Sequence, residues 1–186
     1  LDPVWTEFIA LPKSLSHAVA LSDSQDNIFI LGGRKRNNNA KSDIYDEVLK
    51  INVRTKQVRK LPALPEPLAA GTGVFYADHI YMIAGDNGET FHQVEELIGA
   101  INLSTDDAKK QTLIKQKNSI QEGHPGFGKK VWTMHLKDEK WQSAAVILGE
   151  SPVTTTAILY DNTIVIPSGE IRAGVRTNQI LSGKMQ

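Results

Sequence analysis

The stretch Ser168-Gly169-Glu170-Ile171-Arg172-Ala173-Gly174-Val175-Arg176-Thr177 holds the side chains best suited to acid–base chemistry in this 186-residue sequence. Glu170 and Arg176 stand six residues apart, with Gly169 and Gly174 able to bend the backbone around them. A carboxylate can exchange a proton with a sugar hydroxyl, and a guanidinium offers a planar two-donor fork to a carboxylate ligand. By chemistry alone, an Arg–Glu pair in a loop is more often a structural ion pair than a site. The other candidates carry less. Gly123-His124-Pro125-Gly126-Phe127-Gly128-Lys129-Lys130 has the spacing of a phosphate-binding loop, but Lys130 stands where Ser or Thr would hold magnesium. A strand rather than a helix is expected to follow it, so no helix N-terminus faces a phosphate. His17, His79, His92, His124 and His135 have no metal-ligand spacing. Arg34-Lys35-Arg36-Asn37-Asn38-Asn39 reads either as a solvated turn or as an anion-attracting rim. There is no Gly-x-Ser-x-Gly nucleophile elbow.

The elements that must position these residues repeat along the chain. Leu11-Pro12 is followed by Ser16-His17-Ala18-Val19-Ala20 and then Asn27-Ile28-Phe29-Ile30-Leu31-Gly32-Gly33. Leu61-Pro62, about 50 residues later, is followed by Gly71-Thr72-Gly73-Val74-Phe75 and His79-Ile80-Tyr81-Met82-Ile83-Ala84-Gly85. A third copy runs from Pro152–Ala157 into Asn162–Gly169. Each copy has a small-residue strand, a short turn and a β-rich strand ending at Gly. Ile44–Ile51 and Val131–Leu136 supply further strands, and Trp141 opens another. Trp5 is expected on a leading strand over 4–10, in the position of Trp141 on the outermost strand of a blade. These tryptophans read as packing between neighbouring blades.

Four short strands per unit at this period give an all-β, kelch-type β-propeller. The expected blades cover 10–60 and 61–147, with a partial blade at 150–186 and the leading strand at 4–10. That is about three blade-equivalents, about half of the six- or seven-bladed ring of kelch propellers, and the open ends require another chain or segment to cover them. A helical insertion is expected over about 89–128. Val94, Leu97, Ile98 and Ile101 share one helical face, and Ser104 with Asp107 is a capping-box-like start for a second helix near Asp106–Asn118. Such an insertion either shapes a pocket on one face of the ring or is a structural flap.

Composition excludes several classes. Twenty-one basic and 21 acidic residues give a formal net charge of +0, so the electrostatic footprint of a nucleic-acid binder is missing. No apolar run approaches the roughly 18 residues that cross a bilayer, so no membrane insertion is expected. Zero cysteines exclude disulfides, thiolate nucleophiles and cysteine-held metals. The start, Leu1-Asp2-Pro3-Val4-Trp5, reads as a processed or trimmed terminus and not as a signal peptide.

Ser-Gly-Glu-Ile-Arg-Ala-Gly-Val-Arg-Thr resembles the Gly-Glu-x-x-x-Gly-x-Arg-Thr stretch of the sialic-acid mutarotases, or N-acetylneuraminate epimerases. The kelch pattern and the helical insertion are similar to that family as well, so the resemblance spans the whole chain. It implies a six-bladed bacterial propeller in which Glu170 transfers protons and Arg176 is its partner. The implied reaction is opening and closing of a keto-sugar acid at its anomeric carbon, with a sugar-acid substrate, no metal or redox cofactor, and a periplasmic or secreted setting. The chain enters the family's blade order partway, as in its cyclically permuted branch or in a fragment. A second copy or the remaining half of the propeller is then a partner. The alternative is a non-catalytic kelch module that binds a protein or glycan.

Overall fold

Alternating apolar residues make the strands, and polar turns reverse them. The structure, a computed structural model, describes residues 4–185. Leu1, Asp2 and Pro3 of the expected processed start, and Gln186, lie outside the described residues. The first blade begins with β1 (Val19–Ser22) and β2 (Asn27–Leu31). A ribbon of β3 (Arg34–Lys35) and β4 (Asp43–Ile44) interrupts it, and β5 (Val48–Asn52) and β6 (Val58–Leu61) complete it. The second blade comprises β7 (Thr72–Tyr76) and β8 (His79–Ile83), then α1 (Glu89–Leu103) and α2 (Asp107–Glu122), then β9 (Lys130–His135) and β10 (Trp141–Val146). The third is β11 (Ile158–Tyr160), β12 (Thr163–Arg172) and β13 (Val175–Lys184). Strand orders are β1-β2-β5-β6, β7-β8-β9-β10 and β11-β12-β13, antiparallel throughout. These are successive blades of a kelch-type β-propeller, the architecture that the repeat predicts.

Apolar residues of neighbouring blades pack against each other. Phe29 of β2 and Phe75 of β7 stack with centroids 5.6 Å apart and planes only 5° from parallel. Leu31, Val48, Ile80, Met82 and Met134 fill the same inter-blade core. Trp132 and Trp141 close it at the side, and Trp141 Nε1 donates to the Pro62 carbonyl at 2.9 Å. A second core joins Val74 and Ile83 of the second blade to Val153, Ile164 and Ile166 of the third.

A backbone relay ties the blades together beside these cores. Ala70 N–H donates to the His17 carbonyl at 2.8 Å, and Thr154 N–H donates to the Ala70 carbonyl at 2.8 Å. His17, Ala70 and Thr154 all have left-handed backbones, with φ of 57°, 59° and 52°. One residue before each, Ser16, Ala69 and Val153 form isolated bridges to Arg34, Asp86 and Glu170. The three repeats therefore make the same bridge and the same left-handed turn at equivalent points, at a level of detail that the spacing of Leu-Pro pairs does not reveal.

Four local expectations are corrected. Residues 4–10 form no strand, and Trp5 is 91% exposed. An outer strand is held only by its ladder, and no strand of the described chain lies beside this segment. The expected strand Ile44–Ile51 splits in two. Tyr45 N–H donates to Gly33, and Asp46 and Glu47 accept from Leu64 and Gly32, so these backbone groups are used between segments instead of in the blade ladder. The second helix is capped by Asp106, whose carboxylate accepts from Lys109 N–H at 3.1 Å. Ser104 ends the first helix, and its hydroxyl accepts from Asp106 N–H. Finally, β12 does not stop at Gly169 but runs on to Arg172. Left-handed Ser168 and Gly169, at φ 56° and 128°, form a bulge through which the strand kinks and continues.

Two outcomes test this account. A Cβ on Gly32, at φ +58°, would lie 2.2 Å from the Leu68 carbonyl oxygen. Gly32→Ala is expected to destabilise the chain by about 2 kcal/mol or more, lowering the urea midpoint; an unchanged midpoint would contradict the packing described. Glu47 is paired with Lys60 at 2.6 Å and Lys13 at 3.3 Å. Its hydrogen bond to Lys60 chiefly holds its carboxyl below the ordinary value of 4.5. The stabilisation is present above that value and is lost as pH falls through the depressed one. Glu47→Gln should therefore flatten the acid limb of stability against pH and leave its neutral-to-basic limb parallel to wild type.

Candidate active site

The repeat delivers one side chain per blade to a common place. Each blade carries two consecutive left-handed residues at the equivalent place, Gly32-Gly33 and Ala84-Gly85 directly after β2 and β8 and Ser168-Gly169 as the bulge within β12. The next residues are Arg34, Asp86 and Glu170, and all three line one cavity of about 350 Å³. His17, Ala70 and Thr154 of the relay line it between them. Its volume falls in the range of small-molecule pockets.

The insertion forms a further wall. Phe91, Val94 and Ile98 of α1 line the cavity. Of the expected helical face Val94 is buried, Leu97 and Ile101 are half-buried, and Ile98 is 39% exposed toward this space. Polar contacts to the chain before β4 set the helix orientation. Glu95 accepts from the buried Ser42 twice, from N–H at 2.7 Å and from the hydroxyl at 2.6 Å. His92 Nε2 donates to the Ser42 carbonyl at 2.9 Å, and Lys41 pairs with Glu96 at 2.9 Å. The insertion thus shapes a pocket, one of the two readings that the sequence leaves open.

The polar groups in the cavity differ in how firmly they are held. Glu170 is half-buried, and its Oε1 accepts from Gly174 N–H at 2.8 Å. Asp86 Oδ1 accepts from Gly88 N–H at 2.8 Å, immediately before α1. His124, just after α2, is 8% exposed and packs against Phe127 with ring centroids 4.8 Å apart. Its Nδ1 faces Gly126 N–H at 3.0 Å, and an amide can only donate, so the neutral ring carries its proton on Nε2. His17 has its pKa lowered by burial first and by the Arg34 charge second. The Arg34 guanidinium lies over the Phe91 ring, 4.4 Å from its centroid.

Of the two site residues expected from the sequence, Glu170 lines the cavity. Arg176 sits directly across the β12–β13 ladder from Glu170 in register. It is exposed, does not line the cavity, and makes no salt bridge to Glu170 among the described residues. The two occupy a two-stranded ribbon, not a loop. Asp86, His17 and His124 are lining residues that sequence reasoning did not place at the site, and Arg34 is one it read either as part of a solvated turn or as an anion-attracting rim. Arg34 and Asp86 were findable, because counting from the Gly pair of each repeat puts them at the position of Glu170, whereas the same count toward the relay lands on Ala18 and misses His17 by one residue. His124 had no such signal. Its glycine-rich stretch leads from α2 into β9, with no helix after it. His79 and His135 pack against each other at 4.6 Å on β8 and β9, and His79 Nδ1 bonds the Ala77 carbonyl. Among the described residues no group of three or more His, Asp or Glu side chains could hold a metal.

A family model for N-acetylneuraminate epimerase matches residues 2–186. The chain belongs to the N-acetylneuraminate epimerase family. It is 20% identical over 181 residues to the N-acetylneuraminate epimerase of Haemophilus influenzae (strain PittEE), covering 97% of this chain and 48% of that protein. With the Salmonella enteritidis PT4 (strain P125109) N-acetylneuraminate epimerase it shares 22% identity over 157 residues, covering 83% of this chain and 40% of the relative. In fold it matches the solved structure of YjhT with a TM-score of 0.79 at 17% identity, covering 98% of this chain and 53% of that one. The chain therefore spans about half the length of the N-acetylneuraminate epimerases it matches.

The hold of the insertion on the first blade can be tested directly. Glu95→Ala leaves the Ser42 hydroxyl and amide without their acceptor and should weaken the docking of α1 by about 1–3 kcal/mol. Hydrogen exchange should quicken at α1 amides while those of β2 and β8 keep their protection. Unchanged protection in α1 would show that its orientation comes from apolar packing alone.

Proposed function

We propose that this chain supplies the acid–base half of a sialic-acid mutarotase site, interconverting the anomers of N-acetylneuraminate or a closely related sugar acid. One observation carries the reading: Glu170, the glutamate of the family's Gly-Glu-x-x-x-Gly-x-Arg-Thr stretch, lines a cavity built by three blades. The Glu170 carboxylate takes the proton of the anomeric hydroxyl, the bond from the anomeric carbon to the ring oxygen breaks, and the ring oxygen gains a proton. The open keto form rotates, and the same steps in reverse close the ring on the other face. Gly174 N–H orients Oε1, so the other carboxylate oxygen is the one that meets substrate. Arg176, opposite in register, is the proposed partner of Glu170, steadying it or meeting the substrate from the rim.

The remaining half of the ring is part of this proposal. Ile158, Tyr160 and Ile180 of the third blade are 54%, 79% and 67% exposed, an apolar face of the kind that another blade covers. The other half of the propeller, or a second copy of the chain, is the partner that suits it. A periplasmic setting is proposed on the family resemblance, and a chain without cysteine accommodates it.

Glu170→Gln keeps the Gly174 hydrogen bond but removes proton exchange. In the completed ring, anomer exchange followed by NMR should slow by about 10²–10⁴-fold. Arg176→Lys retains charge without the fork and should lose less. Wild-type exchange in Glu170→Gln would defeat the catalytic reading and favour a propeller that binds its partner without chemistry.

A further inference from the structure

We propose that Arg34, stacked on Phe91, is the carboxylate anchor of this cavity and holds the acid group of the sugar-acid substrate through two of its in-plane N–H donors. The inference rests on the proposed function and assigns the recognition of charge to a residue outside the motif that carries the catalytic reading.

Arg34 is fixed at its backbone. Its N–H donates to the Ser16 carbonyl at 2.8 Å, its carbonyl accepts from Ser16 N–H at 2.9 Å, and it pairs with Ile44 across the β3–β4 ribbon. From that clamp, next to the left-handed Gly32-Gly33 pair, the side chain reaches over the Phe91 ring of α1. Stacking uses the face of a guanidinium and leaves its edge donors free. Among the described residues no carboxylate lies within salt-bridge distance of Arg34, whereas Arg54, Arg59 and Arg172 each have one. It is a half-buried cation for which no described residue supplies a counter-ion.

The other charges in the cavity do not fill that role. Asp86 and Glu170 line the same space, but as carboxylates, each with one oxygen on a backbone N–H from Gly88 or Gly174, they repel an acid group and accept from hydroxyls. His17 stands beside Arg34 with its pKa lowered, so it is the less able of the two to carry positive charge. Arg36 lines a smaller cavity of about 210 Å³, beyond the partition that Arg34 and Phe91 form. Arg176 is exposed and lies outside the lining. A ligand with one carboxylate and several hydroxyls therefore has one orientation that matches charge to charge: acid group on Arg34, hydroxyls toward Asp86 and Glu170. That orientation brings a sugar hydroxyl, not the acid group, to Glu170.

The test compares N-acetylneuraminate with its methyl ester, which keeps the sugar and removes the charge. Ligand-observed NMR titrations would use the wild-type chain, Arg34→Gln, Arg34→Lys and Phe91→Leu. Wild type should prefer the acid over the ester by on the order of ten- to a hundredfold, the worth of a charge-assisted hydrogen-bonded pair. Arg34→Gln should erase the preference by weakening the acid and leaving the ester unchanged. Arg34→Lys and Phe91→Leu should each retain part of it, the first lacking the fork and the second the platform. An acid preference that survives in Arg34→Gln, or a wild type that binds both ligands equally or neither, overturns the inference. Catalysed anomer exchange with acid binding insensitive to Arg34 would leave the proposed function standing without this anchor. An Arg34-dependent preference with no anomer exchange in the completed ring would do the reverse.

Discussion

Everything at the cavity depends on a backbone constraint: each blade kinks its chain through two successive left-handed residues, after the second strand in the first two blades and within it in the third. In the first blade glycine fills both places, and a Cβ at Gly32 would strike the Leu68 carbonyl. In the others Ala84 and Ser168 accept the strained conformation, at φ 59° and 56°. The kink turns the chain so that the following residue bridges to the innermost segment and presents its side chain inward. The scaffold thus dictates where three side chains go and leaves their chemistry free. Here the three are a cation and two carboxylates. A repeat fold can in this way vary its site chemistry without disturbing its cores.

The insertion completes what the repeat begins. Without α1, Arg34 would have no aromatic platform and the cavity no wall on that side. Docking is mostly polar, through Ser42 and Glu95 and through His92, while α2 buries no residue at all. The two helices contribute no residue to the inter-blade cores around Phe29 and Val153, and only Phe127, at the return into β9, packs against the second of them. The insertion adds cavity-facing surface at little cost to the framework.

Much of this was legible in the sequence, and the failures share a cause. The Gly-terminated β-rich segments, the 50-residue spacing and the helical face at Val94 each follow from local chemistry, and the blades and helices form where these place them. Glu170 was legible through its motif. The misread segments are those whose backbone partners are distant in sequence. Tyr45–Glu47 looks like strand but bonds to Gly32, Gly33 and Leu64. Residues 4–10 have strand-like composition and no neighbour to pair with. Gly169 looks like a terminus but is a bulge, because Glu170 bridges to Val153. Arg34 was visible as a basic turn, and only the repeat register, together with Phe91 arriving from an insertion 57 positions away, turns it into a lining residue.

The relay through His17, Ala70 and Thr154 has a direction. Each blade donates an amide hydrogen backward and offers a carbonyl forward, so the two ends are unlike: the N–H side at His17 and the C=O side at Thr154. Like ends cannot bond. A two-fold axis crossing a seam would set amide against amide at one junction and oxygen against oxygen at another. An axis running down the central opening brings amide to carbonyl at both. Any blades that continue the relay, from this chain or from another copy, must therefore enter with the same rotational sense. The handedness of the complete ring is already written into a single pair of hydrogen bonds.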